Sequence, residues 1–264
     1  MVQKKDAWRL IEDGLTDGYM NMAVDEAIFI ACGKGLAPKT IRFYGWSSPF
    51  ISIGYFQKTG NLFKQERLKE LSLKLVRRPT GGRAVYHEDE ITYSVVSSLD
   101  SFSGEGIVAS YKIISHALIS GLKSLGVKAE LVSKRGKQRR GNRDLASCFS
   151  SLSLCEVAVH GKKIIGSAQK RSKTGLLQQG SLPIYLNREK LAEIFKKGSD
   201  EKMTCLREVL DKEVTFDSIS KRLIQSVSKG FGSCVKGRLT PFEKELAEKL
   251  RTEKYRSGKW NFQR

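Results

Sequence analysis

The chain has 264 residues, 40% of them hydrophobic, enough for one large domain or two small ones with a sizeable core, which excludes global disorder. A formal net charge of +19 steers acidic partners toward it, and nucleic acid or an acidic carrier protein fits that charge equally. No run of about 18 apolar residues is present to span a membrane.

Five cysteines form no CxxC pair and three histidines are scattered, so neither a disulfide framework nor a zinc site is expected. Residues 1–6 lead into the fold with no signal-peptide pattern, and the expected compartment is the cytoplasm.

Residues 8–11 read as a first strand, punctuated by Asp13-Gly14 and Asp17-Gly18. A helix is predicted over 19–32, with Met22, Ala23, Ala27, Ile28 and Ile30 at roughly helical spacing. Asp25 and Glu26 inside it read as a solvated acid pair. Strands are predicted over 40–44 and 50–54, a short helix over 63–73, and a further strand ending at Val76.

The chain then turns through Arg77-Arg78-Pro79-Thr80-Gly81-Gly82-Arg83, because Pro79 fixes φ and the diglycine permits positive φ. Apolar residues resume at Ala84-Val85-Tyr86. This fits a plain hairpin, or a loop that brings bare backbone and arginines to an anion or a carbonyl. Another strand covers 90–96 and an amphipathic helix 111–125, on which His116 reads as structural.

Residues 134–143 carry Lys134, Arg135, Lys137, Arg139, Arg140 and Arg143 and read as a mobile basic loop. A hairpin is predicted from 155–160 and 163–166 across His160-Gly161-Lys162, and a strand over 175–184. Helices follow over 191–197, 202–211 and 216–229. Thr240-Pro241-Phe242-Glu243 is a capping box that starts a helix reaching about Tyr255. The expectation is one α+β domain over 1–264, its core about 30–230, with the 240–264 helix packed on it.

Three stretches act together: residues 77–87, residues 161–171 (Gly-Lys-Lys-Ile-Ile-Gly-Ser-Ala-Gln-Lys-Arg) and residues 17–27 (Asp-Gly-Tyr-Met-Asn-Met-Ala-Val-Asp-Glu-Ala). With 42–47, 52–57 and 178–182 in support, the chain resembles the biotin/lipoate protein ligase and octanoyltransferase superfamily over nearly its whole length. The resemblance implies an α+β fold of the biotinyl/lipoyl-ligase type, a class II synthetase-like mixed sheet flanked by helices. It also implies chemistry that places a medium-chain acyl group on one lysine of a lipoyl domain.

One branch of that superfamily adenylates lipoate with ATP, and its loop carries a third glycine where this chain has Arg83. The other moves octanoate from acyl carrier protein through a cysteine thioester, and this chain resembles it at residues 80–85 and 146–149. Glu88 stands where the family usually has Asp. The resemblance implies Cys148 as nucleophile and Lys163 as its activator, since a nearby ammonium raises the thiolate fraction.

Arg77, Arg78, Gly81, Gly82, Arg83, Ala84, His87, Gly166, Ser167 and Ala168 are the expected substrate-binding residues. Arg77 and Arg78 are expected at the entrance, backbone N–H groups near Gly81-Gly82 or Gly166-Ser167 at an oxyanion, and Val85 and Val95 along the acyl tail. No metal, cofactor or ATP is expected. The expected partners are octanoyl-acyl carrier protein and a lipoyl-domain acceptor, glycine cleavage H protein or a dehydrogenase E2. The alternatives are an ATP-dependent lipoate ligase, an amidotransferase between lipoyl proteins and, from another class, a nucleic-acid-binding module, against which the absence of interleaved aromatics in the basic stretch argues.

Overall fold

The computed structural model describes residues 7–59, 62–99, 106–132, 156–195 and 202–263. Strand β1 (Trp8–Thr16) passes through Asp13-Gly14 instead of stopping there, because a bulge between Glu12 and Leu15 absorbs the irregular register with β2 (Thr40–Trp46). Helix α1 (Gly18–Gly33) lies between these strands in sequence and is capped by Asp17, whose carboxylate accepts from the backbone N–H of Tyr19 and Met20. Then come β3 (Phe50–Ile53), α2 (Gln65–Glu70), β4 (Lys74–Arg77), β5 (Val85–His87) and β6 (Glu90–Ser97).

Helix α3 (Ile107–Ser124) and β7 (Glu130–Leu131) lead to the hairpin of β8 (Val157–Val159) and β9 (Lys162–Arg171). His160 and Gly161 both take positive φ at its tip, the geometry of a tight two-residue turn. Strand β10 (Leu176–Pro183) is followed by α4 (Arg188–Ile194), α5 (Leu206–Leu210), α6 (Phe216–Gly230) and β11 (Cys234–Lys236). Helix α7 (Pro241–Leu250) carries the predicted capping box and runs into a π-helical turn (Arg251–Tyr255) and α8 (Gly258–Asn261).

Among the described residues eight strands form one mixed sheet in the order β11-β1-β2-β6-β10-β9-β8-β7, and three form a second in the order β4-β3-β5. Side chains alternate across the large sheet. Ile41, Phe43, Ile91, Tyr93 and Val95 face α3 and α6 in one apolar core. Tyr44, Trp46, Val96 and Leu177 face α1 in another, which Ala247 and Tyr255 of the C-terminal segment complete.

The hairpin expected for the diglycine loop is not present. Strand β3 lies between β4 and β5, parallel to the first and antiparallel to the second, so the loop crosses over the end of β3. Gly54 makes the crossing possible: a Cβ there would lie 1.9 Å from the Gly82 carbonyl oxygen. Gly82 itself takes φ of 86°, where a side chain is strained.

The acid pair is not solvated either. Asp25 and Glu26 are both buried, each against cations from distant elements.

Candidate active site

The crossing loop is held at every turn by backbone and guanidinium bonds. Arg78 N–H donates to Ile53 O at 3.0 Å and Tyr55 N–H to Thr80 O at 2.9 Å. The Arg78 guanidinium donates to Gly81 O and Arg83 O, both at 2.7 Å, and to Ser52 Oγ at 3.0 Å. Thr80 Oγ donates to Gln179 Oε1 at 2.8 Å, which ties the loop to the large sheet.

Arg77 does not stand at an entrance. It is fully buried, and its guanidinium donates to the carbonyls of Gly54, Tyr55 and Gln57 at 2.8–3.0 Å. Ala84 is buried with Ile51, Ile53 and Leu75, and Arg83 is half-exposed.

Beneath the loop, between the two sheets, lies a narrow cavity with about 360 Å³ of empty space when its open mouth is counted. Arg78, His87, Gly166, Ser167 and Ala168 line it, together with Val85. Val95 does not: it is on the opposite face of the sheet, in the core with α3. Met22, Tyr44, Trp46, Ser52, Thr92, Gln179, Gly180 and Ser181 complete the lining, and the sequence alone marked none of them as a binding residue. Gly166, without a side chain, and Ala168, with only a methyl, alternate on β9 and leave the space that larger residues would fill.

The cavity's walls are fixed by two polar networks. In the first, His87 stacks on Trp46 with ring centroids 3.8 Å apart. Its Nδ1–H donates to Glu90 Oε1 at 2.8 Å, and its Nε2 faces Ser52 Oγ at 2.7 Å. Glu90 also accepts from Trp46 Nε1 at 3.1 Å and from Ser181 Oγ at 2.6 Å, and Thr92 donates to it as well. Burial would raise the Glu90 carboxyl, but His87, Ser181 and Thr92 together hold it below the usual carboxylate range.

In the second network, Asp25 accepts from Arg42 at 2.8 Å, Tyr44 OH at 2.8 Å, Ser94 Oγ at 2.7 Å and Gln179 Nε2 at 2.7 Å. Burial, then the Asp25 carboxylate, pushes the Tyr44 phenol far up, so it remains a donor. Arg42 reaches on to Asp13 at 2.6 Å and to Asn21 Oδ1 at 3.0 Å. The signal for this network was present in the alternation of β2, where Arg42 and Tyr44 occupy the face opposite Ile41 and Phe43.

Lys163 is fully buried. Register places it: Val157 pairs with Ile165 and Ala158 with Lys163, so Ile164 is an extra residue on β9. Val157, Val159 and Ile165 belong to the α3 side. Lys163, opposite Ala158, is therefore turned by the bulge to the face that carries Gly166, Ala168 and the cavity. Its ammonium donates to the Glu156 carboxylate. Its backbone is bridged to Met203, which packs on the cavity residue Val85.

Cys148, Cys155 and the basic stretch 134–143 lie outside the described residues. Among the described residues no group of His, Cys, Asp and Glu could hold a metal ion, and no helix is long and apolar enough to cross a membrane.

Residues 17–228 match the family described as the lipoyl protein ligase A/B catalytic domain. The chain belongs to this family. Relatives named octanoyltransferase LipM agree along their full length: the one from Kyrpidia tusciae is 39% identical over 97% of this chain and 99% of its own, and that from Bacillus subtilis 33% over 99% and 100%. Among solved structures, a T. acidophilum lipoate protein ligase with bound lipoic acid superposes with a TM-score of 0.79 at 25% identity, covering 97% of this chain and 99% of that one. A lipoate-protein ligase A bound with ATP gives 0.79 at 25%, covering 97% and 98%. The mixed sheet flanked by helices is thus the lipoyl-ligase fold, and the cavity beneath the diglycine loop lies inside the family's matched span.

Proposed function

We propose that this lipoyl-ligase family member is an octanoyltransferase of lipoate biosynthesis. It takes octanoate from octanoyl-acyl carrier protein, holds it as a thioester on Cys148, and passes it to the lysine of a lipoyl domain on glycine cleavage H protein or a dehydrogenase E2. The relatives' shared name supports the reaction. The observation that carries the mechanism is Lys163, a buried ammonium turned by a bulge to the cavity face of β9.

In the first half-reaction the Cys148 thiolate attacks the carrier's thioester carbonyl. The tetrahedral oxyanion collapses, and the phosphopantetheine thiolate leaves and takes a proton. In the second, the acceptor lysine's neutral amine attacks the acyl-enzyme. The amide forms, the Cys148 thiolate leaves, and the amine's proton passes to solvent or to a nearby base. Lys163 favours the thiolate in both resting states by its positive charge, and Glu156 orients the ammonium. The acyl chain occupies the cavity between Val85, Met22 and Trp46, while Arg78 keeps the loop closed over it. A thioester is already an activated acyl group, so neither half-reaction consumes ATP.

The likeness to an ATP-bound ligase favours a second reading, ATP-dependent ligation of free lipoate. The test is to incubate the protein with octanoyl-carrier and an unmodified lipoyl domain in the absence of ATP. The expected result is an octanoyl mass increment on the acceptor lysine. Transfer only from free acid with ATP, accompanied by acyl-AMP, would make it a ligase. Transfer only from an octanoylated H protein would make it an amidotransferase.

A further inference from the structure

The family match ends at residue 228, yet the segment beyond it reaches back to the loop over the cavity. Helix α7 packs on α1 through Ala247. The π-helical turn that follows brings two residues onto Glu26. Lys254 Nζ donates to both carboxylate oxygens, at 2.8 and 2.6 Å, and Tyr255 OH donates at 2.7 Å. Helix α8 then sets Trp260 and Asn261 against the last residue of β4.

Strand β4 is the outer strand of its sheet, and the N–H and C=O of Arg77 point away from β3, since Arg78 N–H is the next group to bond Ile53. The chain end satisfies both. Asn261 Oδ1 accepts from Arg77 N–H at 2.8 Å, and Trp260 Nε1–H donates to Arg77 O at 2.8 Å. The Arg77 guanidinium returns the contact, donating to Trp260 O at 3.2 Å and Asn261 O at 3.0 Å. With its other N–H groups on Gly54, Tyr55 and Gln57, it joins the chain end to the turn that bonds Thr80. Asn261 is itself buried and fixed by donating to Tyr255 O at 2.8 Å.

We propose that Asn261, together with Trp260, is a positioning residue for acyl transfer: it fixes the Arg77 backbone, and so holds Arg78 and the loop to Arg83 closed over the acyl cavity. This rests on the octanoyl-transfer reading for its kinetic consequence, though not for its structural one. Neither residue lines the cavity. A clamp of this kind acts through the geometry of the loop, where a displacement of about 1 Å costs as much as a hundredfold in rate.

The test compares Asn261→Ala, Asn261→Asp, Trp260→Phe and, as a destabilised control in the packing of α3 on α6, Leu223→Ala. Each is read by kcat/KM for octanoyl-carrier and by amide hydrogen exchange of residues 78–83. Asn261→Ala is expected to lose about tenfold or more in kcat/KM, mainly through KM, with faster exchange confined to the loop. Asn261→Asp keeps the acceptor for Arg77 N–H but loses the donor to Tyr255 O, and should recover part of the loss. Leu223→Ala should lower Tm and leave kcat/KM and loop exchange as in the wild type.

Loop exchange unchanged in Asn261→Ala, or a kinetic loss no larger than in the control, overturns the proposal. If Asn261→Ala does not fold, Trp260→Phe, which deletes only one donor to Arg77, is read by the same exchange, and no acceleration there overturns it. If the wild type transfers no octanoate, the proposed reaction fails while the exchange measurement still decides the clamp.

Discussion

On β6, Ile91, Tyr93 and Val95 join α3 and α6 in an apolar core, while Thr92 and Ser94 between them turn toward α1 and meet Glu90 and Asp25. The same strand thus builds two different layers. The α3 face holds by burial of apolar area, which is non-directional and tolerates change of shape. The α1 face adds to its own apolar core hydrogen bonds in which each polar group has a particular partner, and the cavity beneath the loop opens there. Fixed polar partners prevent the small residues Gly166 and Ala168 from being packed over, so the cavity keeps its shape. The α3 face shows its polar exception at Tyr93, whose hydroxyl meets Ser167 at 2.8 Å and Gln178 at 2.7 Å, and burial pushes that phenol up to about 12.

The contrast is broken most directly by removing the hub of the polar face. Asp25→Leu leaves Tyr44, Ser94 and Gln179 without their shared acceptor and Arg42 with Asp13 as its remaining carboxylate, and each buried polar group left unsatisfied costs about 1–3 kcal/mol. Denaturant unfolding should show that loss, together with loss of transfer. On the other face, Ile114→Ala removes a fully buried side chain at a cost of about 2–5 kcal/mol. It should leave KM for octanoyl-carrier unchanged in whatever folds, and a raised KM would show that the two faces are not independent.

Gly54→Ala comes next. Its Cβ would meet the Gly82 carbonyl at 1.9 Å, and backbone must move to relieve it, at about 1–3 kcal/mol for forced overpacking. The loss should appear as weaker acyl binding with the α3 core intact by near-ultraviolet dichroism.

Lys163→Ala tests the proposed activator. It should raise the Cys148 thiol toward its free value of about 8.5 and slow iodoacetamide labelling at neutral pH about tenfold, with recovery at high pH. Equal labelling rates at pH 7 would remove Lys163 as activator.

The smallest effect concerns acid. Burial would raise Glu26, but the Lys254 ammonium, the Tyr255 hydroxyl and Lys170 outweigh it and hold the carboxyl below its ordinary value. A carboxyl depressed in the folded state contributes stability above its unfolded value, about 4.3, that is lost as pH falls through the folded value. Unfolding free energy should therefore decline below about pH 4.3, and Glu26→Gln should flatten that decline. An unchanged slope would show that Glu26 carries none of it.

What the sequence made legible was local. The turn at His160-Gly161, the capping box at Thr240 and the apolar spacing of α1 are each decided within a few residues, and each is present in the structure. The burial of Asp25 and Glu26 was not legible, because their partners Arg42 and Lys254 lie 17 and 228 positions away and a helix carrying acids reads the same either way. The loop at Gly81-Gly82 looked like a hairpin for a similar reason: β3, which separates its two strands, comes earlier in the chain. Of the expected binding residues, those near β9 and His87 meet at one cavity, whereas Arg77 became a brace, its cue as an entrance arginine being only its neighbour Arg78.

The proposed transfer stands on octanoate being carried on Cys148. Wild-type protein and Cys148→Ala are each incubated with octanoyl-carrier alone, without ATP, and read by intact mass followed by peptide mapping. One octanoyl adduct is expected on the wild type, located at Cys148 and absent from a folded Cys148→Ala that no longer transfers. An adduct mapped to Cys155, or transfer at the wild-type rate by Cys148→Ala, would contradict it.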